Sequence, residues 1–134
     1  MATDDVLANK AATVERCVAR IREDFDEDFG TNFTKQDAVI LNLQRACQAC
    51  IDMAAHGVKT RKLGVPQTSR ELFSLLAQHQ LISSSLSERL QGMVSFRNIA
   101  THDYTSLNLD IVVSIIDHHL TDFTDFSAAM LKNS

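Results

Sequence analysis

The chemistry of this chain is concentrated in residues 97–104, with the sequence RNIATHDY. Arg97 carries a permanent positive charge on a planar group whose N–H donors match the oxygens of a phosphate. His102 is the residue type that both accepts and donates a proton near neutral pH. Asn98 adds an amide and Tyr104 a phenol. These residue types together suit phosphate binding combined with proton transfer.

The spacing of Arg97 and His102 restricts how they can act together. An α-helix turns about 100° per residue, so five residues place the two side chains roughly 140° apart. Either the helix ends near Thr101 and the backbone turns His102 back, or the two residues meet across a symmetric dimer. A simpler interpretation is that Arg97 makes a salt bridge and that His102 is a surface residue after a helix end.

The spacing of apolar residues predicts helices on both sides of residues 97–104. Leu86, Leu90, Met93 and Val94 form an apolar helical stripe that Arg97 continues, and an arginine on a buried stripe needs a partner or a cleft. Apolar residues recur at helical spacing in five segments, whose expected limits are Thr3 or Asp4 to Gly30, Thr34 to His56–Gly57, Thr68 to His79 or Gln80, Ser85 to Thr101, and a last helix through Val112 and Met130.

Strand alternation, a Gly-rich phosphate loop and internal repeats are all missing from the sequence. We therefore predict an all-α fold: an up-and-down bundle of four main helices with a short additional helix. The length of 134 residues suits a single domain over residues 1–134. The net charge of −4 argues against nucleic-acid binding by the protein as a whole. Any RNA site must therefore be local.

Cysteine usage and hydropathy indicate the compartment. The three cysteines are an odd number, the N-terminus is acidic without an apolar signal core, and no apolar run approaches a membrane span. We expect a cytoplasmic protein that does not contact a membrane. Cys47 and Cys50 form a C-x-x-C pattern, but the strand of a redox motif and further zinc ligands are missing. Buried small residues are the favoured interpretation.

A basic cluster, Lys59, Arg61 and Lys62, lies in a segment from Val58 to Val65 that we expect to be irregular. Two interpretations stand side by side. The cluster is either an exposed loop that charge keeps soluble, or a set of contacts to the RNA backbone next to the active cleft.

Arg97, Asn98, His102 and Tyr104 resemble the Arg-polar-x4-His-x-Tyr motif of HEPN domains. The similarity is greatest to HepT-like toxins, which are paired with MNT-type nucleotidyltransferase antitoxins. The similarity in the order of the helices extends over most of the chain, whereas the similarity in reactive residue types is limited to these four positions. It implies a HEPN-like domain that cleaves RNA as a homodimer without metal or cofactor, with Arg97 and His102 as the catalytic pair.

The same resemblance implies roles for two further residues. Asn98 would orient the phosphate or hold Arg97, and Tyr104 would receive a nucleotide from the antitoxin, which inhibits the toxin. The residues themselves leave other functions open. A helical module could bind a nucleotide phosphate through Arg97 and His102 without cleaving it. A partner protein could dock on the second helix, whose apolar residues cover nearly all sides.

Overall fold

Six α-helices and a short 3₁₀ turn, with no strand, form residues 4–133, the part of the chain that this computed structural model describes. The helices are α1 (Asp5–Asp24), α2 (Phe33–Arg61), α3 (Ser69–Gln78), α4 (Ser84–His102), α5 (Leu109–His118) and α6 (Leu120–Lys132), and the 3₁₀ turn is Tyr104–Ser106. This confirms the predicted all-α bundle. None of these helices is both long enough and apolar enough to cross a membrane.

Helix α2 lies at the centre of the bundle. It contacts α1, α3, α4 and α6, which explains why its apolar residues are spread around most of its circumference. Its buried residues include Val39, Leu43, Ala46, Cys47, Cys50, Met53 and Ala54. The thiols of Cys47 and Cys50 are unoxidised and buried, as predicted. Burial raises the pKa of Cys47 to about 12, so this thiol stays protonated and unreactive at neutral pH.

Two predicted helix starts are confirmed by their caps. The Asp4 carboxylate accepts hydrogen bonds from the backbone N–H groups of Val6 (3.0 Å) and Leu7 (3.3 Å). A hydrogen bond to His56 at 2.7 Å contributes most to holding the pKa of Asp4 below its usual value. Thr68 caps α3 by accepting from the N–H of Glu71 at 3.2 Å. Thr3, the other predicted start of α1, lies outside the described residues.

Three predicted boundaries are wrong by a few residues. Helix α1 ends at Asp24 and not at Gly30, because Lys35 binds the carboxylates of Asp26 and Asp28 at 2.5 Å each and holds this segment in a turn. The cap of α2 is Asn32, which accepts from the N–H of Lys35 at 3.1 Å. The cap of α4 is Ser83 and not Ser85, since its hydroxyl accepts from the N–H of Leu86 at 3.0 Å.

Helix α2 also continues past His56–Gly57, where the sequence predicted its end. Gly57 is buried inside the helix, and a Cβ there would lie 2.5 Å from the Met130 side chain of α6. Close packing therefore explains this glycine. The helix ends at Arg61, and its C-cap Lys62 has a φ of 55°. The N–H of Leu63 then donates to the carbonyl of Val58 at 3.0 Å, as in a Schellman motif.

The predicted last helix is divided in two at His119. The break accompanies a buried carboxylate, Asp122, which is 5% exposed. Asp122 accepts from Arg89 Nε at 3.0 Å and pairs with His119 Nδ1 at 3.0 Å. A buried carboxylate is tolerated only with such partners. Arg89 lies 33 residues away in the sequence, so helical periodicity alone did not reveal this pairing.

We predict that Phe126→Ala destabilises the fold strongly. The Phe126 ring is fully buried and packs edge-to-face on Phe73, with ring centroids 5.4 Å apart. The free energy of unfolding should fall by about 3–5 kcal/mol in urea denaturation. The matched control is Phe33→Ala, because Phe33 is 77% exposed, and its effect should stay within about 0.5 kcal/mol. Equal losses in the two variants would contradict the position of the core.

Candidate active site

Arg97 and His102 lie on one continuous helix. Helix α4 runs through His102, and Asp103 is its C-cap, donating its N–H to the carbonyl of Ile99 at 2.8 Å. Of the two arrangements that the spacing allowed, the one in which the backbone turns His102 back is therefore wrong: the helix ends one residue after Thr101 and includes His102. Five helical residues separate the two side chains by roughly 140° around the axis and about 7.5 Å along it. Within one chain they do not converge on a common substrate atom.

Two hydrogen bonds attach the end of α4 to α2. Gln44 donates its side-chain N–H to the Thr101 hydroxyl at 3.1 Å. The phenol of Tyr104 donates to a carboxylate oxygen of Asp37. Neither Asp37 nor Gln44 was identified from the sequence as part of this site. The partners are 57 and 67 residues apart in the sequence, so no local pattern could have identified either pair.

The segment after His102 is held by its own side chains. The Asp103 carboxylate accepts from the hydroxyl of Ser106 at 2.7 Å and, more weakly, from that of Thr105 at 3.4 Å. Asn108 then caps α5 by accepting from the N–H of Asp110 at 2.8 Å. This turn fixes Tyr104 beside α2 without burying it, because its side chain remains 45% exposed.

Arg97 has an unsatisfied donor at the end of α4. Its Nε is buried and has no hydrogen-bond partner among residues 4–133, and no ion pair in that range includes Arg97. The salt bridge of the simpler interpretation is therefore not formed within the described chain. The charge of Arg97 opposes the burial-driven rise in the pKa of Cys47, which indicates that the guanidinium lies near this α2 thiol.

His102 and Asn98 lie away from α2. They are four residues apart, which places them on one face of α4, and both are exposed. Ile99, between them in sequence, is 43% exposed although it is a large apolar residue. The motif therefore has two sides: Arg97 and Thr101 face α2, whereas Asn98 and His102 face solvent.

The basic cluster lies at the opposite end of α2. Lys59 and Arg61 belong to the last turn of this helix and Lys62 is its C-cap, so the expected irregular segment begins later than predicted. Fifteen helical residues separate Lys59 from Gln44, or about 22 Å along the axis. A contact between RNA and this cluster stays a prediction, but within one chain it would lie several nucleotides from Arg97.

Tyr104 has a perturbed phenol. The hydrogen bond to Asp37, with smaller contributions from burial and from the charge of Asp37, raises the pKa of Tyr104 to about 12. The phenol is therefore protonated at neutral pH and donates to a fixed acceptor. That geometry also orients the phenol oxygen and provides a base that can take its proton when the oxygen attacks an electrophile.

Residues 4–133 contain no group of three or more His, Cys, Asp or Glu side chains that could hold a metal ion. The end of α4 presents an arginine without an ion pair and an exposed histidine on an all-helical bundle. Residues 13–130 match the family model described as Ribonuclease HepT-like. The chain belongs to this family, which confirms the resemblance drawn from residues 97–104 and the prediction of an endoribonuclease.

One known protein and two solved structures are closely similar to this chain. The mRNA nuclease HepT of Shewanella oneidensis is 53% identical over 125 residues, which cover 92% of this chain and 94% of that protein. A structure of a tri-AMPylated Shewanella oneidensis HEPN toxin in complex with MNT antitoxin has a TM-score of 0.92 at 50% identity, covering 98% of this chain and 99% of that one. A structure of the toxin–antitoxin MntA–HpeT mutant Y104A has a TM-score of 0.90 at 50% identity, with coverages of 96% and 99%.

We predict that Asp37→Asn lowers the pKa of Tyr104 from about 12 towards 10, because the negative charge is removed. Tyr104 is the only tyrosine and the chain has no tryptophan, so near-ultraviolet absorbance during a pH titration reports on this phenol alone. Asp52→Asn, which changes another aspartate of α2, should leave the midpoint unchanged.

The same contact should make stability depend on pH. The pKa of Tyr104 is higher in the folded chain than the ordinary value of 10, so the contact stabilises the fold fully below about pH 10. Its contribution is lost as the pH rises through 12. In the absorbance titration, a midpoint near pH 10 for the wild-type phenol would contradict the hydrogen bond between Tyr104 and Asp37.

Proposed function

We propose that this protein is a metal-independent endoribonuclease toxin that cleaves RNA, with mRNA as its substrate class, through Arg97 and His102. The observation that carries the assignment is Arg97. Its guanidinium has a buried Nε without a partner and makes no ion pair in residues 4–133, so it has donors available for a phosphate. The family match and the 53% identity to an mRNA nuclease support the same conclusion.

The proposed chemistry uses the RNA's own 2′-hydroxyl as the nucleophile. A histidine removes its proton as the oxygen attacks the adjacent phosphorus. The bond from phosphorus to the 5′-oxygen breaks, and a protonated histidine supplies the proton that this leaving oxygen requires. The products are a 2′,3′-cyclic phosphate and a 5′-hydroxyl. Arg97 stabilises the negative charge that builds on the non-bridging oxygens, and Asn98 orients the phosphate.

This mechanism is best served by a homodimer. One chain supplies one His102, and helix geometry directs it away from Arg97 of the same chain. A two-fold axis near the motif would bring the Arg97 of one chain towards the His102 of the other. Exposed apolar residues on the elements around the motif support an interface there: Ile99 (43%) on α4 and Ile111 (52%) on α5.

The proposed regulation is nucleotidylation of Tyr104 by an MNT-type antitoxin. The tri-AMPylated toxin bound to MNT antitoxin and the Y104A mutant complex, each 50% identical to this chain, support it. A nucleotide on the phenol oxygen adds negative charge and bulk beside the motif, which opposes the binding of an RNA phosphate. We further propose that residues 1–134 form a single HEPN-like domain and that the protein acts in the cytoplasm.

We predict that Arg97→Ala and His102→Ala each reduce RNA cleavage at least 100-fold in the presence of EDTA, because each removes a distinct part of the transition-state stabilisation. Gel analysis should show 2′,3′-cyclic phosphate ends for the wild type. Arg22→Ala and His79→Ala, which change exposed residues of α1 and the C-terminal end of α3, are the matched controls and should cleave normally.

Mixing the two inactive variants tests the composite site in the same assay. If each site takes Arg97 from one chain and His102 from the other, mixed dimers should regain part of the activity. Full cleavage by a folded His102→Ala protein would remove His102 from the mechanism and leave phosphate binding without cleavage as the better function. Activity that EDTA abolishes and a divalent ion restores would contradict metal independence.

We predict that Tyr104→Phe escapes the antitoxin enzyme, because it lacks the oxygen that accepts the nucleotide. Mass spectrometry of toxin treated with the antitoxin and a nucleoside triphosphate should show added nucleotide on the peptide containing Tyr104 and none in the variant. An antitoxin preparation that silences the wild type without adding mass to this peptide would rule out the mechanism.

A further inference from the structure

Three arginines meet in one pocket between α1 and α2, apart from residues 97–104. Arg16 and Arg20 lie one turn apart on α1, and Arg45 lies opposite them on α2. The pocket has a volume of about 400 Å³, and its other lining residues are Thr13, Cys17 and Asn42. Arg45 is 25 residues from Arg20 in the sequence, so helical spacing alone does not connect it with the arginines of α1.

The arginines of this pocket make no ion pair with any other part of residues 4–133. The ion pairs within residues 4–133 involve Lys10, Lys35, His56, Arg89 and His119, and none of them includes an arginine of the pocket. Arg16 and Arg45 both oppose the burial that raises the pKa of the Cys17 thiol, so their charges converge on this point. Three unpaired guanidinium groups in a protein of net charge −4 form a local site for anions.

The pocket lies beside the point where α4 is attached to α2. Arg45 directly follows Gln44, whose side chain binds Thr101 in the last turn of α4. Consecutive helical residues differ by about 100° around the axis, so Arg45 points to the α1 side of α2, whereas Gln44 points to the α4 side. The exposed surface of α2 around Leu41 lies between the two. A single strand bound at the motif therefore reaches the pocket by crossing one helix.

We propose that Arg16, Arg20 and Arg45 form a binding site for phosphodiester groups of the RNA strand that flank the scissile bond. This inference rests on the proposed ribonuclease function. It gives the RNA strand a second binding site in addition to Arg97. Guanidinium groups bind phosphate oxygens in pairs of parallel hydrogen bonds, and the site reads the backbone without reading the bases. It also explains how an acidic protein holds an acidic polymer near the motif.

The test measures RNA binding separately from cleavage. Full-length His102→Ala protein, which we expect to leave RNA intact, is titrated with a fluorescent single-stranded RNA at several salt concentrations. Adding Arg16→Gln and Arg45→Gln should weaken binding about tenfold or more near physiological salt, because two phosphate contacts are lost. The slope of log affinity against log salt should become shallower by roughly 1.4, about 0.7 for each lost contact to a single strand. Restoring Arg45 in the double variant should recover part of the affinity.

The matched control removes two exposed cations outside the pocket through Arg22→Gln and Lys132→Gln. It changes the net charge equally and should change the affinity less than about threefold. Equal losses in the two double variants would overturn the pocket as a site, because total charge would then explain binding. Unchanged RNA affinity with loss of the antitoxin complex would also overturn it and would make the pocket a protein interface.

Wild-type cleavage, measured in parallel, separates this inference from the proposed function. If the wild type cleaves RNA but the arginine variant binds RNA as tightly as the control does, the pocket assignment alone fails. If RNA binding depends on the pocket while the wild type does not cleave, the pocket stands and the nuclease mechanism fails.

Discussion

The burial of α2 is the constraint on which the rest of this bundle depends. Its apolar residues occupy most of the helix circumference, so α1, α3, α4 and α6 must all pack against it. Cys47 and Cys50 are buried at these helix contacts, where they pack as small apolar residues. One narrow surface, around Leu41 and Arg45, remains open to solvent. Polar groups that act on a ligand near the motif must therefore lie along the edges of that surface.

The motif occupies one of those edges. Hydrogen bonds from Gln44 to Thr101 and from Tyr104 to Asp37 fix the end of α4 against α2, so the orientation of each motif residue is set by a rigid helix and not by a loop. Rigidity has a consequence for the chemistry: a continuous helix cannot direct Arg97 and His102 to one atom. Arg97 and His102 are each held by the same rigid helix, and within one chain they point in different directions.

Charge is arranged locally in a protein that is acidic overall. Acidic side chains are bound where they shape the fold: Asp26 and Asp28 by Lys35, and Asp122 by Arg89 and His119. In contrast, Arg97 and the three arginines between α1 and α2 make no ion pair within residues 4–133. Paired charges thus stabilise turns and helix breaks, and these four arginines leave positive charge without an ion pair beside the surface that an anionic polymer would cross.

Local properties of the sequence were enough to predict the helical class, the apolar character of the second helix on nearly all sides, and the residue types of the motif, because helical periodicity, caps such as Asp4 and Thr68, and phosphate chemistry do not depend on distant residues. The extension of α2 past Gly57, the break at His119, the partners of Tyr104 and Thr101, and the meeting of Arg45 with Arg16 and Arg20 were decided by the tertiary structure alone. The physical reason is the same in each case: these features depend on contacts between residues from separate helices, and no periodicity within one helix specifies which side chains its neighbours will present to it.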